Sequence, residues 1–203
     1  VHTVLDAADA GGRRIETIPR PGIGTATVPT GDVADGYAYY AYESFTEPKT
    51  TYRYDLKTGT STVAVRPASP FDPAPYVTEQ LFATSKDGTR IPLFVTHRRD
   101  MPYDGSTPTV LWGYGGFGAL FTLTPSFGEV NALWLQMGGA YAVVNARGGG
   151  EYGEAWHRAG MFERKQNVFD DFIAAAQLLV ARKITSPQKL ALRGSSAGGL
   201  LAG

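Results

Sequence analysis

The chain has 203 residues, balances 19 Lys and Arg against 19 Asp and Glu, and contains no cysteine. Zero net charge without a basic cluster gives no electrostatic footing for nucleic acid or for an anionic membrane surface. The missing cysteines exclude disulfide frameworks, thiolate metal sites and cysteine nucleophiles, and no apolar run is long enough to span a bilayer. The same absence fits a reducing compartment, so a cytoplasmic location is the expectation, with periplasmic or secreted placement left open. No signal peptide is visible after Val1, which is not a Met, and loss of an upstream targeting segment is compatible with that.

The first third reads as short strands. Val1 to Leu5 and Arg14 to Ile18 flank the turn chemistry of Asp9-Ala-Gly-Gly12, which predicts a hairpin. A Pro/Gly/Thr-rich connection runs from Pro19 to Gly31. Tyr37 to Ser44 alternates aromatic and small residues, as a strand facing a core on one side does, and Thr50 to Asp55 repeats the alternation through Tyr52 and Tyr54. Lys57-Thr-Gly59 turns into a further strand over Ser61 to Arg66. Antiparallel strands with tight turns belong to a sandwich, a barrel or a propeller blade, and these few cannot close a sheet alone. Pro67 to Pro75 holds four prolines in nine residues, which suits an extended linker and marks a domain boundary.

Beyond the linker, strands alternate with helices. Val77 to Ser85 and Arg90 to His97 flank Lys86-Asp-Gly88, a hairpin signal. A strand over Thr109 to Gly113 follows. Val130, Leu133, Trp134 and Met137 then place apolar residues at helical spacing from about Phe127 to Met137, stopped by Gly138-Gly139. Ala140 to Ala146 is a continuous apolar run of strand length, expected to be buried on both faces in a parallel sheet. Val168 to Ala181 predicts a helix whose buried face is Phe169, Phe172, Ile173, Ala176, Leu179 and Val180, with Asn167 as cap and Asp170 and Asp171 favouring the positive end of its dipole. Lys189 to Arg193 is a short strand. This order predicts an α/β sheet that opens with a hairpin.

The chemistry gathers in three glycine-rich stretches at strand ends. Gly194-Ser-Ser-Ala-Gly-Gly199 sits between a strand and a helix, the context that makes G-x-S-x-G a nucleophile elbow. As an elbow it presents Ser196 and aims the Ala197 amide at a developing oxyanion; the plainer reading is a glycine-rich strand-to-helix turn with incidental serines. Gly113-Tyr-Gly-Gly-Phe-Gly118 fits a dinucleotide fingerprint, but Pro125 and β-formers follow it where a helix should begin. No Asp or Glu closes the next strand, so it reads as a loop carrying Tyr114 and Phe117 into a cleft. Arg147-Gly-Gly-Gly-Glu151 is a second such loop, with an Arg147–Glu151 pair expected to pin it. His157 precedes Ser196, the reverse of the Ser, acid, His order of such hydrolases, so a structural or surface role is favoured; His2 and His97 have weaker claims. No spacing of His, Asp or Glu suggests a metal, and no cofactor is expected.

Taken together, Trp112-Gly-Tyr-Gly-Gly-Phe117, Asn145-Ala-Arg-Gly-Gly-Gly-Glu-Tyr-Gly153, Lys165-Gln-Asn-Val-Phe-Asp-Asp-Phe172, Thr185-Ser-Pro187 and Gly194-Ser-Ser-Ala-Gly-Gly199 resemble the prolyl oligopeptidase family of serine peptidases. The resemblance covers essentially the whole chain. It implies residues 1–70 as the closing antiparallel strands of a β-propeller and 71–203 as the first half of an α/β-hydrolase peptidase domain. It makes Ser196 the nucleophile that forms an acyl-enzyme, Tyr114 and the Ala197 amide the oxyanion donors, and Phe117 a wall of the proline-accepting pocket. It implies short peptide substrates cut after proline, with a monomeric parent. Ala197 departs from the Asn usual in the prolyl branch and matches the oligopeptidase B branch, which prefers basic residues. The family's triad Asp and His would lie beyond Gly203. The chain is therefore expected to be an internal fragment that folds poorly and hydrolyses almost nothing alone. An α/β-hydrolase esterase and a non-catalytic binding module are the rival readings.

Overall fold

The structure is a computed structural model and describes residues 4–8, 13–119 and 124–203. Contacts divide the chain into a smaller unit that runs to Ala74 and takes in 124–132, and a larger unit made of the rest from Pro75.

In the smaller unit, β1 (Asp6–Ala8) pairs antiparallel with β2 (Arg14–Thr17). The Ile18 amide extends the pairing to the Leu5 carbonyl at 2.8 Å. The turn expected at 9–12 and the first three residues of the expected opening strand, His2 among them, lie outside the described residues. A short β3 (Thr25–Ala26) inside the Pro/Gly/Thr-rich connection escaped the sequence pattern. It begins a four-stranded antiparallel sheet completed in order by β4 (Tyr37–Glu43), β5 (Thr50–Asp55) and β6 (Thr60–Val65). The period-two alternation puts Tyr40, Tyr42, Tyr52 and Tyr54 on one buried face with Leu5 and Ile18. There the Tyr40 and Tyr52 rings stack at 5.4 Å. Their hydroxyls stay satisfied, Tyr40 on Ser61 Oγ at 3.0 Å and Tyr52 on Glu47 at 2.7 Å. The proline-rich segment is anchored rather than free, because Phe71 is buried against Phe127 with 5.9 Å between ring centres.

The larger unit is built on a five-stranded mixed sheet. β7 (Tyr76–Thr84) and β8 (Arg90–Arg98) form the expected hairpin, with Gly88 at φ 85° where a side chain would be strained. β9 (Thr109–Trp112), β10 (Ala140–Val144) and β11 (Leu190–Arg193) complete it in the spatial order β11-β9-β10-β8-β7. β9 lies parallel to both β10 and β11, while β8 runs antiparallel to β10. Every residue of β10 is buried, as its unbroken apolar run requires. Between β9 and β10 lies α1 (Glu129–Gln136), and between β10 and β11 lie α2 (Glu154–Arg158) and α3 (Gln166–Ala181). The core joins Ile91, Leu93, Val95, Leu111 and Val144 of the sheet to Val168, Phe172, Ala175 and Leu179 of α3. No helix among the described residues is long and apolar enough to cross a membrane.

Both helical faces differ from expectation. On α1 the buried residues are Ala132 and Leu135, while Val130, Leu133 and, just beyond the helix, Met137 are exposed. On α3 the buried face turns to Val168, Asp171, Phe172, Ala175 and Leu179, leaving Ile173 about half exposed at 51%. The reason is Asp171, which takes a core position because a buried partner awaits it. Asn167 does not cap α3. Lys165 occupies the cap position, and the Asn167 amide donates to the Ala159 carbonyl at 2.8 Å. At the open edge, β11 is half exposed, and Ala176, Val180, Pro187, Leu190 and Leu192 line an apolar groove of about 510 Å³.

Candidate active site

The parallel register aligns Val143 of β10 with Trp112 of β9 and Trp112 with Arg193 of β11. The three glycine-rich stretches therefore leave adjacent strands at one edge, where open α/β sheets gather ligand-binding loops. The Gly113 amide bonds the Arg193 carbonyl at 3.3 Å, so the Tyr114 loop starts beside the elbow.

Ser196 has φ 52° and ψ −121°, one of four non-glycine residues described with positive φ. A serine there is strained, and such strain persists only where the surroundings enforce it. Two glycines do so. A Cβ at Gly194 would overlap the Gly198 carbonyl, and a Cβ at Gly198 would overlap the Gly113 carbonyl and stand 3.2 Å from Tyr114 Cα. The turn is closed by Gly198 N–H to Ser195 O at 2.8 Å and Gly199 N–H to Ser196 O at 2.9 Å, and α4 (Ala197–Ala202) begins at once. Ser196 is exposed, and its hydroxyl makes no capping bond to α4.

Tyr114 and Ala197 come together through Gly116. A Cβ there would lie 3.3 Å from Ala197 Cβ and 3.8 Å from Tyr114 Cε1. Phe117, with φ 57° and 81% exposed, sits 6.5 Å from the Tyr114 ring. All four sequence-selected residues thus share the strand edge. Beside them a cleft of about 370 Å³ is lined by Gly116, Phe117, Gly148, His157, Met161, Phe162, Lys165, Ala197 and Leu200. Met161, Phe162 and Lys165 were missed by the pattern reading. For Lys165 a signal existed, a cation directly before a helix; for the other two nothing in the sequence marks them. His157 lines this cleft but bonds the Gly148 carbonyl through Nδ1 at 2.8 Å, in keeping with a structural role. His97 packs away from it, with Nδ1 on the Arg98 carbonyl at 2.7 Å.

The glycine loop after β10 is held otherwise than expected. Arg147 pairs not with Glu151 but with Asp171, Nη2 to Oδ1 at 2.6 Å and Nε to Oδ2 at 2.9 Å, and with Asp87 of the β7–β8 turn. A guanidinium reaches two carboxylates where a neighbouring Glu would satisfy only one, and its planar fork suits that geometry. Burial opposes the charge of Arg147, but its bonds to Asp171 and Asp87 outweigh burial and raise its pKa. The same bond holds the Asp87 carboxyl well below its usual range. Asp171, expected to serve the helix dipole, instead anchors this network and also accepts from Ser85 Oγ at 2.6 Å; Asp170 accepts from Gln166 at 3.0 Å.

Glu151 folds under its own loop, where a Cβ at Gly149 would press into its carboxylate, and neither oxygen has a hydrogen-bond partner among the described residues. Burial pushes its pKa up from 4.5 to about 7. A raised acid pKa means that the folded state holds the proton more tightly. Stability is therefore fully present below pH 4.5 and is lost as pH rises through about 7, by on the order of 2 kcal/mol. Glu151→Gln should flatten this dependence, so that the variant melts higher than the parent at pH 8 and not at pH 4.5. An unchanged difference in melting temperature across that range would contradict the burial of an unpaired carboxyl.

Known proteins resemble this chain along most of its length. The description "Prolyl oligopeptidase family" matches residues 125–203, and "Prolyl oligopeptidase, N-terminal beta-propeller domain" matches residues 1–67. The prolyl endopeptidase of Elizabethkingia meningoseptica is 44% identical over 96% of this chain and 27% of its own length. That of Dictyostelium discoideum is 37% identical over all of this chain and 27% of its own. A solved structure of a prolyl endopeptidase superposes with a TM-score of 0.86 at 46% identity, covering 98% of this chain and 29% of that one. Prolyl oligopeptidase B from Galerina marginata does so at 0.85 and 35% identity, covering 94% and 28%. The chain spans 27% of the length of the Elizabethkingia relatives it matches. A blade-sized sheet of propeller strands followed by the first part of an α/β-hydrolase sheet, with both family descriptions matched in that order, places this chain in the prolyl oligopeptidase family.

Proposed function

We propose that these residues are part of a serine peptidase that cleaves short peptides on the C-terminal side of proline through an acyl-enzyme on Ser196. The observation that carries the reading is the strained Ser196 turn, wedged by Gly194 and Gly198 against the loop that brings Tyr114 beside Ala197. In this reading the Ser196 hydroxyl attacks the scissile carbonyl carbon and passes its proton to a base. The Tyr114 hydroxyl and the Ala197 amide stabilise the resulting oxyanion, and Phe117 walls the pocket for the proline ring. Peptide substrates are supported by relatives, since the Galerina enzyme has been solved bound to a 35mer hydrolysis and macrocyclization substrate.

Among the described residues no hydrogen bond joins an imidazole to the Ser196 hydroxyl; His157 bonds the Gly148 carbonyl through Nδ1, and His97 the Arg98 carbonyl. The isolated chain is therefore inactive, and the acid and base come from elsewhere in the intact protein.

The test is turnover by the intact protein of matched reporters carrying proline, arginine or a simple ester at the cleaved position. The proline peptide should lead in kcat/KM by about a hundredfold, the scale that one shaped pocket supplies. Preference for arginine would assign the basic-residue branch, and preference for the ester would assign an esterase. No turnover of any would leave a binding module.

A further inference from the structure

Lys165 is placed against two physical preferences. It stands at the N-terminal cap of α3, where the helix dipole disfavours a cation, and it contributes no cap bond. It is also partly buried, and desolvation lowers its pKa. No acidic side chain pairs with it among the described residues. Its ammonium instead donates to the Gly115 carbonyl at 2.7 Å. A sequence keeps a cation in such a position when the bond it makes serves something other than the helix.

Gly115 lies in the middle of the Tyr114 loop, at φ 59°, and a Cβ there would collide with Val168. Glycines at 113, 115, 116 and 118 leave this loop little stiffness of its own. Its ends are tied by Gly113 N–H to Arg193 O at 3.3 Å and Gly118 N–H to Gly148 O at 3.0 Å. Between these ties the Lys165 bond holds the Gly115–Gly116 peptide, one residue beyond Tyr114.

We propose that Lys165 is a positioning residue that clamps the Gly115 carbonyl and thereby holds the Tyr114 hydroxyl where the oxyanion forms. This rests on the peptidase reading above. Lys165 touches no reacting atom and works through Tyr114. A misplaced donor costs transition-state stabilisation and leaves ground-state binding largely intact, so the loss falls on kcat.

The experiment uses the intact protein with the substitutions Lys165→Met, Lys165→Arg, Tyr114→Phe and the Lys165→Met/Tyr114→Phe pair, assayed on a proline reporter and melted in parallel. Tyr114→Phe should lower kcat by about 10- to 100-fold, at or below the usual loss for one oxyanion donor. Lys165→Met should lower kcat about tenfold or more with KM within about threefold, and the pair should be no worse than Tyr114→Phe alone. Its melting temperature should stay level or rise, since a cation leaves the helix N-terminus. Lys165→Arg should recover part of kcat. An unchanged kcat, losses that multiply in the pair, or a melting temperature that falls in step with kcat would each overturn the proposal. Full activity in Ser196→Ala would instead remove the peptidase reading itself, whatever Lys165 does.

Discussion

Replacing Ser196 with alanine in the intact protein should lower kcat by at least about 10⁴-fold, with KM little changed. The size follows from what the elbow supplies. Ser196 is held at φ 52° by two glycines that admit no side chain, so no neighbour can move into its place. Ser195 precedes it, but the Ser195 carbonyl is bonded to the Gly198 amide within the turn. Removing a nucleophile leaves only what the oxyanion donors and substrate binding provide. Because Ala at 196 keeps the backbone strain without the hydroxyl, folding should be nearly unaffected, and a melt of the variant checks this. Activity within tenfold of the parent would show that Ser196 does not carry the chemistry.

Arg147→Leu should destabilise the α/β unit by about 3–5 kcal/mol, the cost of stranding one member of a buried ion pair. Arg147 is 5% exposed and the Asp171 side chain not at all, so water cannot replace the lost partner. Asp171 would keep only the Ser85 hydroxyl at 2.6 Å and the residue-147 amide at 2.9 Å. Asp87, held ionised through Arg147, would lose its main contact, and the β7–β8 turn its tie to the loop after β10. Denaturant midpoints of the intact protein measure the loss. The double substitution Arg147→Leu/Asp171→Leu should recover a substantial part, since it removes the orphaned carboxylate along with the guanidinium. A loss below about 1 kcal/mol in the single variant would mean that the cluster is not the anchor its burial indicates.

The strands were legible because their signals are local. Alternation through Tyr40, Tyr42, Tyr52 and Tyr54, the Asp87-Gly88 turn and the unbroken run of β10 each act within a few residues. The candidate site was legible for a related reason, since Ser196, Ala197, Tyr114 and Phe117 sit in glycine strings whose shape the backbone itself demands. What escaped depends on partners remote in sequence. Asp171 looked like a residue for the helix dipole because its partner, Arg147, lies 24 positions away, and Asp87 lies 60 from that arginine. Once Asp171 turned inward, the buried face of α3 moved with it, and Ile173 came out. The apolar stripe on α1 misled for a different reason. Val130, Leu133 and Met137 have helical spacing, yet Ala132 and Leu135 are the buried ones. Periodicity identifies a helix and does not say which apolar stripe is buried. Lys165 was read only as part of a motif, and its cost as a cation before a helix went unused.

The most direct measurement is covalent trapping. The intact protein is treated with a proline-containing phosphonate ester that reacts with activated serines, and the adduct is located by peptide mass spectrometry. The account predicts a single adduct on Ser196, formed in step with loss of proline-reporter turnover and absent in Ser196→Ala. An adduct on another residue, or full loss of turnover with Ser196 unmodified, would contradict it.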